Sequence, residues 1–295
     1  MNTLTNKELT LLPNLLTKIL HEQVEPGMIE HVPANSWPAS VITALKKDPN
    51  DVNLVFDIGQ NDVRPIVIKA ITELCTARMK ELVDSQSLPL RFVLESSNIF
   101  RIQDAGHSSS VFYAYGTGRY NCPHDHKKVM YCGDYPDTCL AEKILRESNS
   151  KGLGPASKPF SRKSEWFGRF DLGAMLTARE LKLLDVPALK AQLNLSGKLT
   201  LDDYLWTHGI VAAISALDID VDGISYESSH LGHGRCYALF QTAQDQLKDQ
   251  SLTKLSECEV ESSLLVRNEY TLGRDKVAVK DIFTKVLGGV ITDND

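Results

Sequence analysis

The chain has 295 residues, 42% of them hydrophobic and 24% charged, with a formal net charge of −6. That length supports one large domain or two smaller ones, and the composition is that of an ordinary soluble globular protein. The acidic balance argues against a broad nucleic-acid footprint and leaves room only for a local basic pocket on a phosphate.

No apolar run approaches the roughly 20 residues that a membrane span needs, so no membrane partner is expected. Met1 to Leu20 is amphipathic, carries Glu8 and does not read as a signal peptide. The six cysteines, Cys75, Cys122, Cys132, Cys139, Cys236 and Cys258, are scattered along the chain. Scatter of that kind reads as reduced thiols in a cytoplasmic protein rather than a disulfide framework.

Leu9 to His21 has mostly helical spacing of its leucines, with Pro13 near the start. His31 to Pro38 reads as a loop and Ser40 to Lys47 as a short helix ended by Asp48-Pro49-Asn50. Asn53 to Ile58 fits a strand or a buried helical turn equally well. Val63 to Val83 is strongly periodic through Ile66, Ala70, Ile71, Leu74, Met79 and Leu82 and predicts a long helix. This mostly helical region, residues 1–95, carries no catalytic constellation and reads as an appendage or docking surface.

Composition changes after Ser87-Leu88-Pro89. Asn98 to Ile102 and Ser110 to Tyr115 read as strands, Gly116-Thr117-Gly118 as a turn and Val129 to Cys132 as a short strand. Asp137 is the expected N-cap of a helix running to about Glu147. Ser148 to Ser164 reads as an exposed loop, Glu165 to Leu172 as a strand, and Thr177 to Leu193 as helix interrupted at Pro187. Leu201 to Leu217 predicts a helix; Asp222 to Glu227 and Arg235 to Phe240 predict strands. The tail reads as helix, a strand near Ser262 to Val266, and a last helix near Lys280 to Val286. Irregular interleaving without a βαβ rhythm or a Gly-rich nucleotide fingerprint makes the class α+β.

Three reactive side chains lie close together in the middle of the chain. Arg119 follows the turn Thr117-Gly118, where a guanidinium fork suits a phosphate, although a turn arginine is usually just solvated. Tyr131 ends an apolar strand and would stack on a flat ligand or sit half-buried. Glu142 flanks the apolar face formed by Leu140, Ala141, Ile144 and Leu145, which on its own is an ordinary solvated glutamate. Cys122, His124, His126 and Cys132 invite a zinc site, but their spacing matches no common knuckle, so no metal is expected. No Gly-x-Ser-x-Gly elbow supports a hydrolase triad. Serines at the end of the Gly223 to Glu227 strand can bond ribose or phosphate oxygens.

Five motifs occur in order: Phe100-Arg101-Ile102, Gly118-Arg119-Tyr120-Asn121, Val129-Met130-Tyr131, Thr138-Cys139-Leu140-Ala141-Glu142 and Gly223-Ile224-Ser225-Tyr226-Glu227-Ser228-Ser229. Together they resemble the RES domain, named for its arginine, glutamate and serine, over roughly residues 96–245. The resemblance implies an ADP-ribosyltransferase-like mixed β-sheet core with flanking helices in residues 96–295, preceded by the helical region 1–95. By position it places the family arginine on Arg119, the tyrosine on Tyr131 and the glutamate on Glu142. The serine falls on Ser228, or on Ser229 in the alternative register. Arg101 and Tyr120 are expected to line the same pocket. Tyr120 stands where a tryptophan is usual, the loop Cys122 to Lys128 is long, the loop Ser148 to Ser164 is enlarged, and residues 1–95 have no counterpart in compact members.

Family members degrade NAD⁺, and many are toxins of bacterial pairs held inactive by a helix-turn-helix antitoxin. The resemblance therefore implies cleavage of the nicotinamide–ribose bond, with NAD⁺ as substrate, no cofactor, and water or phosphate as the second reactant. The alternatives are a protein ADP-ribosyltransferase, or a non-catalytic interaction or zinc-binding module. Oligomeric state is left open.

Overall fold

A computed structural model describes residues 4–20, 24–47, 58–116, 118–121, 128–149, 161–193, 204–228, 234–260, 276–287 and 290–292. The helices in chain order are α1 (Asn6–Leu20), α2 (Pro26–Ile29), α3 (Ala39–Lys47) and α4 (Gln60–Asp84). They continue with α5 (Pro136–Asn149), α6 (Ser164–Phe167), α7 (Val186–Gln192) and α8 (Tyr204–Ala216), before a last helical segment, Val279–Asp281 and Ile282–Val286. By internal contacts the chain divides into two units. One takes Met1–Leu88, Gly116–His126 and Gln192–Asp220; the other takes Pro89–Tyr115, Lys127–Ala191 and Val221–Asp295. The first break falls after Leu88, and the helical unit also takes in two later stretches.

The helical unit starts with a capping box. The Thr5 N–H donates to Glu8 Oε2 at 2.6 Å, and the Glu8 N–H donates to Thr5 Oγ1 at 3.3 Å. These reciprocal bonds satisfy donors of the first turn, so α1 begins at Asn6, earlier than its leucine periodicity indicates. Leu12, Leu15, Leu16 and Ile19 bury one face of α1; Val63, Val67, Ile71, Cys75 and Met79 do the same for α4. Helix α8 is buried along most of its length and packs on α4. A Cβ at Gly209 would lie 2.4 Å from Ile71 Cγ2, so the absence of a side chain at Gly209 permits this approach.

The other unit is built on an eight-stranded sheet in the order β1-β6-β7-β8-β3-β2-β5-β9. Its strands are β1 (Leu90–Val93), β2 (Asn98–Asp104), β3 (Val129–Gly133), β5 (Phe170–Thr177), β6 (Leu181–Asp185), β7 (Gly223–Glu227), β8 (Arg235–Phe240) and β9 (Leu247–Lys254). Strand β4 (Ser161–Lys163) lies outside this sheet and pairs in parallel with residues Val290–Thr292. Within the sheet, β6 and β7 run parallel and the other neighbours antiparallel, so the fold is mixed α+β as expected. Side chains alternate across it. Ile99, Met130, Cys132, Met175, Leu183, Tyr237 and Leu239 fill one face. Leu140 of α5 packs on the other with Phe100, Ile102, Phe167, Phe170, Leu172, Ile282 and Phe283.

Several local expectations are corrected. Residues 110–115 form no ladder strand; Ala114 makes an isolated bridge to Val129. Side chains take over their backbone groups: Asp249 Oδ1 accepts the Ser110 N–H at 2.8 Å, Gln103 Nε2 donates to the Ser109 carbonyl at 3.0 Å, and Arg101 donates to the Phe112 carbonyl. Thr177 to Leu193 is not one interrupted helix. Leu181–Asp185 is a strand between β1 and β7, and only then does α7 begin, with Pro187 in its first turn. Pairing on both sides overrides the helical preference of its leucines and lysine. Glu165 to Leu172 divides into α6 and the start of β5. Helix α5 starts at Pro136, whose missing donor costs nothing there, so Asp137 is inside the helix rather than its N-cap. The stretch after Phe240 is a 3-10 turn and then edge strand β9. Lys248, Asp249 and Lys254 give β9 a helix-like composition and blunt an open sheet edge. Residues 262–266 lie outside the described residues, as do most of 53–58 and 148–164.

Candidate active site

The point of chemical interest is where α5 leaves β3 and crosses the β7 and β8 ends. The Asp134 N–H donates to the Arg235 carbonyl at 3.0 Å, and Asp134 Oδ1 accepts the Arg235 N–H at 3.1 Å. Thr138 Oγ1 donates to the same Oδ1 at 3.1 Å. A Cβ on Gly234 would lie 2.5 Å from Thr138 Oγ1. The Ser228 N–H donates to the Gly234 carbonyl at 2.9 Å, closing the segment onto itself. One further turn along α5, Ser228 Oγ donates to Glu142 Oε1 at 2.7 Å. Thr138 and Glu142, at i and i+4 on α5, form a stripe that Asp134, in the bend before the helix, extends through its bond to Thr138. That stripe joins the helix to the β7 and β8 ends and delivers Glu142 to Ser228.

Burial acts on the titratable groups here. It pushes the Asp134 carboxyl above the ordinary aspartate range, and the bonds from the Arg235 N–H and Thr138 only partly oppose this. Burial also pushes the Cys236 thiol well up, reinforced by the Glu142 carboxylate beside it. Cys139 is raised too, chiefly by burial, and donates to the Phe100 carbonyl at 3.1 Å. A nucleophilic cysteine needs a lowered pKa, and these thiols are held neutral.

Sheet register places the other predicted residues. Tyr131 is opposite Ala238 and shares its face with Gly133. A Cβ on Gly133 would meet Cys139 and Thr138 of α5, so this is the face that α5 covers. Tyr131 is half-buried there, on the same face as Glu142's helix. Arg101 has the opposite parity. It is opposite Gly173, where a Cβ would meet Ser110, and its guanidinium lies 5.7 Å from the Phe112 ring centroid. Burial lowers its pKa. Arg101 therefore braces residues 109–113 on the far face of the sheet and does not share a face with Glu142.

Arg119 and Tyr120 belong to the helical unit. The Asn121 N–H donates to the Gly118 carbonyl at 3.0 Å, closing a four-residue turn. Gly118, Tyr120 and Asn121 are buried, and Arg119 is half-buried. Ser229 lies outside the described residues, as do Cys122, His124 and His126 of the zinc alternative. Cys132, the fourth of that set, is buried with its thiol pushed up to about 12. Asp134 and Gly234 carry no signal in the sequence, and Thr138 figures there only as the first residue of the motif that ends at Glu142. The i, i+4 spacing of Thr138 and Glu142 is visible in the sequence, but which face of α5 meets the β7–β8 ends is not.

A mixed α+β unit in which a sheet-end serine donates to a glutamate on a crossing helix is the class that fold and site define. A model of the RES domain family matches residues 98–257, more than half of the chain, and the chain belongs to that family. No curated protein sequence matches it. Among solved structures it is similar to a chain of the M. tuberculosis MbcT-MbcA toxin-antitoxin complex, at 14% identity and a TM-score of 0.43, over 62% of this chain and 90% of that one.

Proposed function

We propose that this protein cleaves the nicotinamide–ribose bond of NAD⁺, passing the ADP-ribosyl group to water or inorganic phosphate. The observation that carries the reading is the 2.7 Å bond from Ser228 Oγ to Glu142 Oε1, formed by two of the residues that the family resemblance selects. The serine hydroxyl donates its hydrogen bond to the carboxylate and so fixes the direction in which Glu142 points. The leaving nicotinamide is a cation before it departs and needs no strong acid. Positive charge gathers on the ribose in the transition state, as in glycoside hydrolysis. A carboxylate about 4 Å away at an effective dielectric of about 20 attracts that charge by about 4 kcal/mol. Realised only in the transition state, this is about a thousandfold in rate. Tyr131 stacks near the nicotinamide or ribose, and Arg119 binds the pyrophosphate through its guanidinium fork.

The expected partner is a small helix-turn-helix antitoxin encoded beside this chain, which would make the protein the toxin of a bacterial pair. The test of the chemistry is NAD⁺ consumption with nicotinamide release, run with and without phosphate. Glu142→Gln keeps the shape and removes the charge, and is expected to lower kcat about a thousandfold with Tm nearly unchanged. Glu142→Gln cleaving NAD⁺ at the parent rate sinks the assignment.

A further inference from the structure

We propose that His208 is a positioning residue for Arg119, through which the N-terminal helices set the turn that binds the anionic part of the substrate. This rests on the reading of Arg119 given above, but its geometry is independent of it. His208 is buried in α8 and stacks on Tyr204 one turn earlier, with ring centroids 5.7 Å apart and 25° between the planes. Its Nε2 lies 3.3 Å from the Gly118 carbonyl oxygen, 90 residues away in sequence. A carbonyl only accepts, so Nε2 carries the proton in this contact. The same oxygen also accepts the Asn121 N–H at 3.0 Å. Two donors from different directions thus fix the carbonyl of the residue immediately before Arg119. With Tyr120 and Asn121 buried on the other side, Arg119 is carried by a turn held at both ends.

The N-terminal helices thereby gain a task. Helix α8 can present His208 there only if α8 itself is fixed. Its fixed point is the contact of Gly209, the next residue, with Ile71 of α4. Residue 71 lies outside the stretch 98–257 that the family model matches. The chain of contact therefore runs from α4 through Gly209 and His208 to Gly118 and Arg119, entirely within the helical unit. Here the N-terminal region is part of the scaffold of an anion-binding turn rather than an appendage.

The experiment uses the full chain with three single variants and one double variant. His208→Phe keeps a flat ring and removes the donor; His208→Gln keeps a donor at nearly the Nε2 position. A third, Gly209→Ala, drives a methyl into Ile71. His208→Phe is expected to raise KM for NAD⁺ about tenfold with kcat changed less than about threefold, the scale of one lost hydrogen bond used in binding. His208→Gln is expected to recover most of that loss. Amide exchange at Asn121 is expected to quicken about tenfold in His208→Phe and stay near the parent in His208→Gln. Gly209→Ala raises KM in the same direction, and Ile71→Ala restores it in the double variant. Parent-like KM and Asn121 exchange in His208→Phe overturn the proposal. So does equal loss in the Phe and Gln variants, which would make ring packing rather than the bond the operative feature. If the parent itself leaves NAD⁺ intact, the NAD⁺ reading fails and Asn121 exchange alone decides whether His208 holds the turn.

Discussion

Gly234→Ala tests the stripe that delivers Glu142. The added Cβ would lie 2.5 Å from Thr138 Oγ1 and 2.9 Å from its Cγ2, whereas ordinary contact begins at 3.4 Å. The gap between 2.5 and 3.4 Å requires a separation of about 0.9 Å between α5 and the β7–β8 ends. Thr138 cannot swing away cheaply: it is fully buried, β-branched, and bonded to Asp134. Overpacking of this kind costs about 1–3 kcal/mol, against about 0.4–1 kcal/mol gained from stiffening the unfolded chain. A net loss of about 1–2 kcal/mol is expected, lowering Tm by a few degrees in a domain of this size. A shift of about 0.9 Å along the 2.7 Å Ser228–Glu142 bond takes it beyond hydrogen-bond range. Losing a charge-assisted bond is worth about 1.5–3 kcal/mol, so kcat/KM for nicotinamide release should fall about tenfold to a hundredfold. The assay pairs that rate with thermal unfolding, and Thr138→Ala in the Gly234→Ala background should restore both. A single variant as active as the parent and equally or more stable would show that the glycine is not there to admit Thr138.

The other predictions are more local. Phe283, fully buried and edge-on to Phe167 at 5.3 Å, fills the face covered by α5, so Phe283→Ala should cost about 3–5 kcal/mol in denaturant unfolding. Asp134 has its pKa raised by burial, so its folded state holds the proton more tightly than the unfolded state. Its contribution to stability is full below the ordinary aspartate value and is lost as pH rises through the raised value. Asp134→Asn keeps an acceptor for Thr138 and the Arg235 N–H, and should flatten that slope in stability measured from about pH 3 to 7; a difference between the two proteins that does not change with pH would refute it.

Much of the architecture was legible because local and tertiary preferences agreed. Val63 to Val83 is apolar at helical spacing and lies within α4; Asn98 to Ile102 and Arg235 to Phe240 are rich in strand formers and lie in β2 and β8. The failures came where they disagreed. Leu181–Asp185 looks helical and is a strand because β1 and β7 flank it. The β9 stretch looks like a surface helix because its charges guard an edge. At the site, Glu142 and Ser228 are 86 residues apart and meet at 2.7 Å. Motif order could select both without showing that one donates to the other. Arg101 illustrates the opposite case. Strand parity sends it to the far face, a matter of register that a strand of unknown pairing does not reveal. His208 gave no signal at all, since its partner is a backbone carbonyl and any residue could have supplied one.

The helical unit is stitched from three separate stretches, the last ending at Asp220. During synthesis, α1 to α4 emerge long before α8 exists to lie against α4. Their apolar residues, Ile71 and Met79 among them, must wait exposed or be shielded until the chain has been made as far as α8. The dependence also runs the other way. A truncated gene beginning at residue 96 would encode every matched motif yet leave α8 without Ile71 to rest on. Cutting this protein at the apparent domain boundary would produce not a minimal enzyme but a fragment with an open seam.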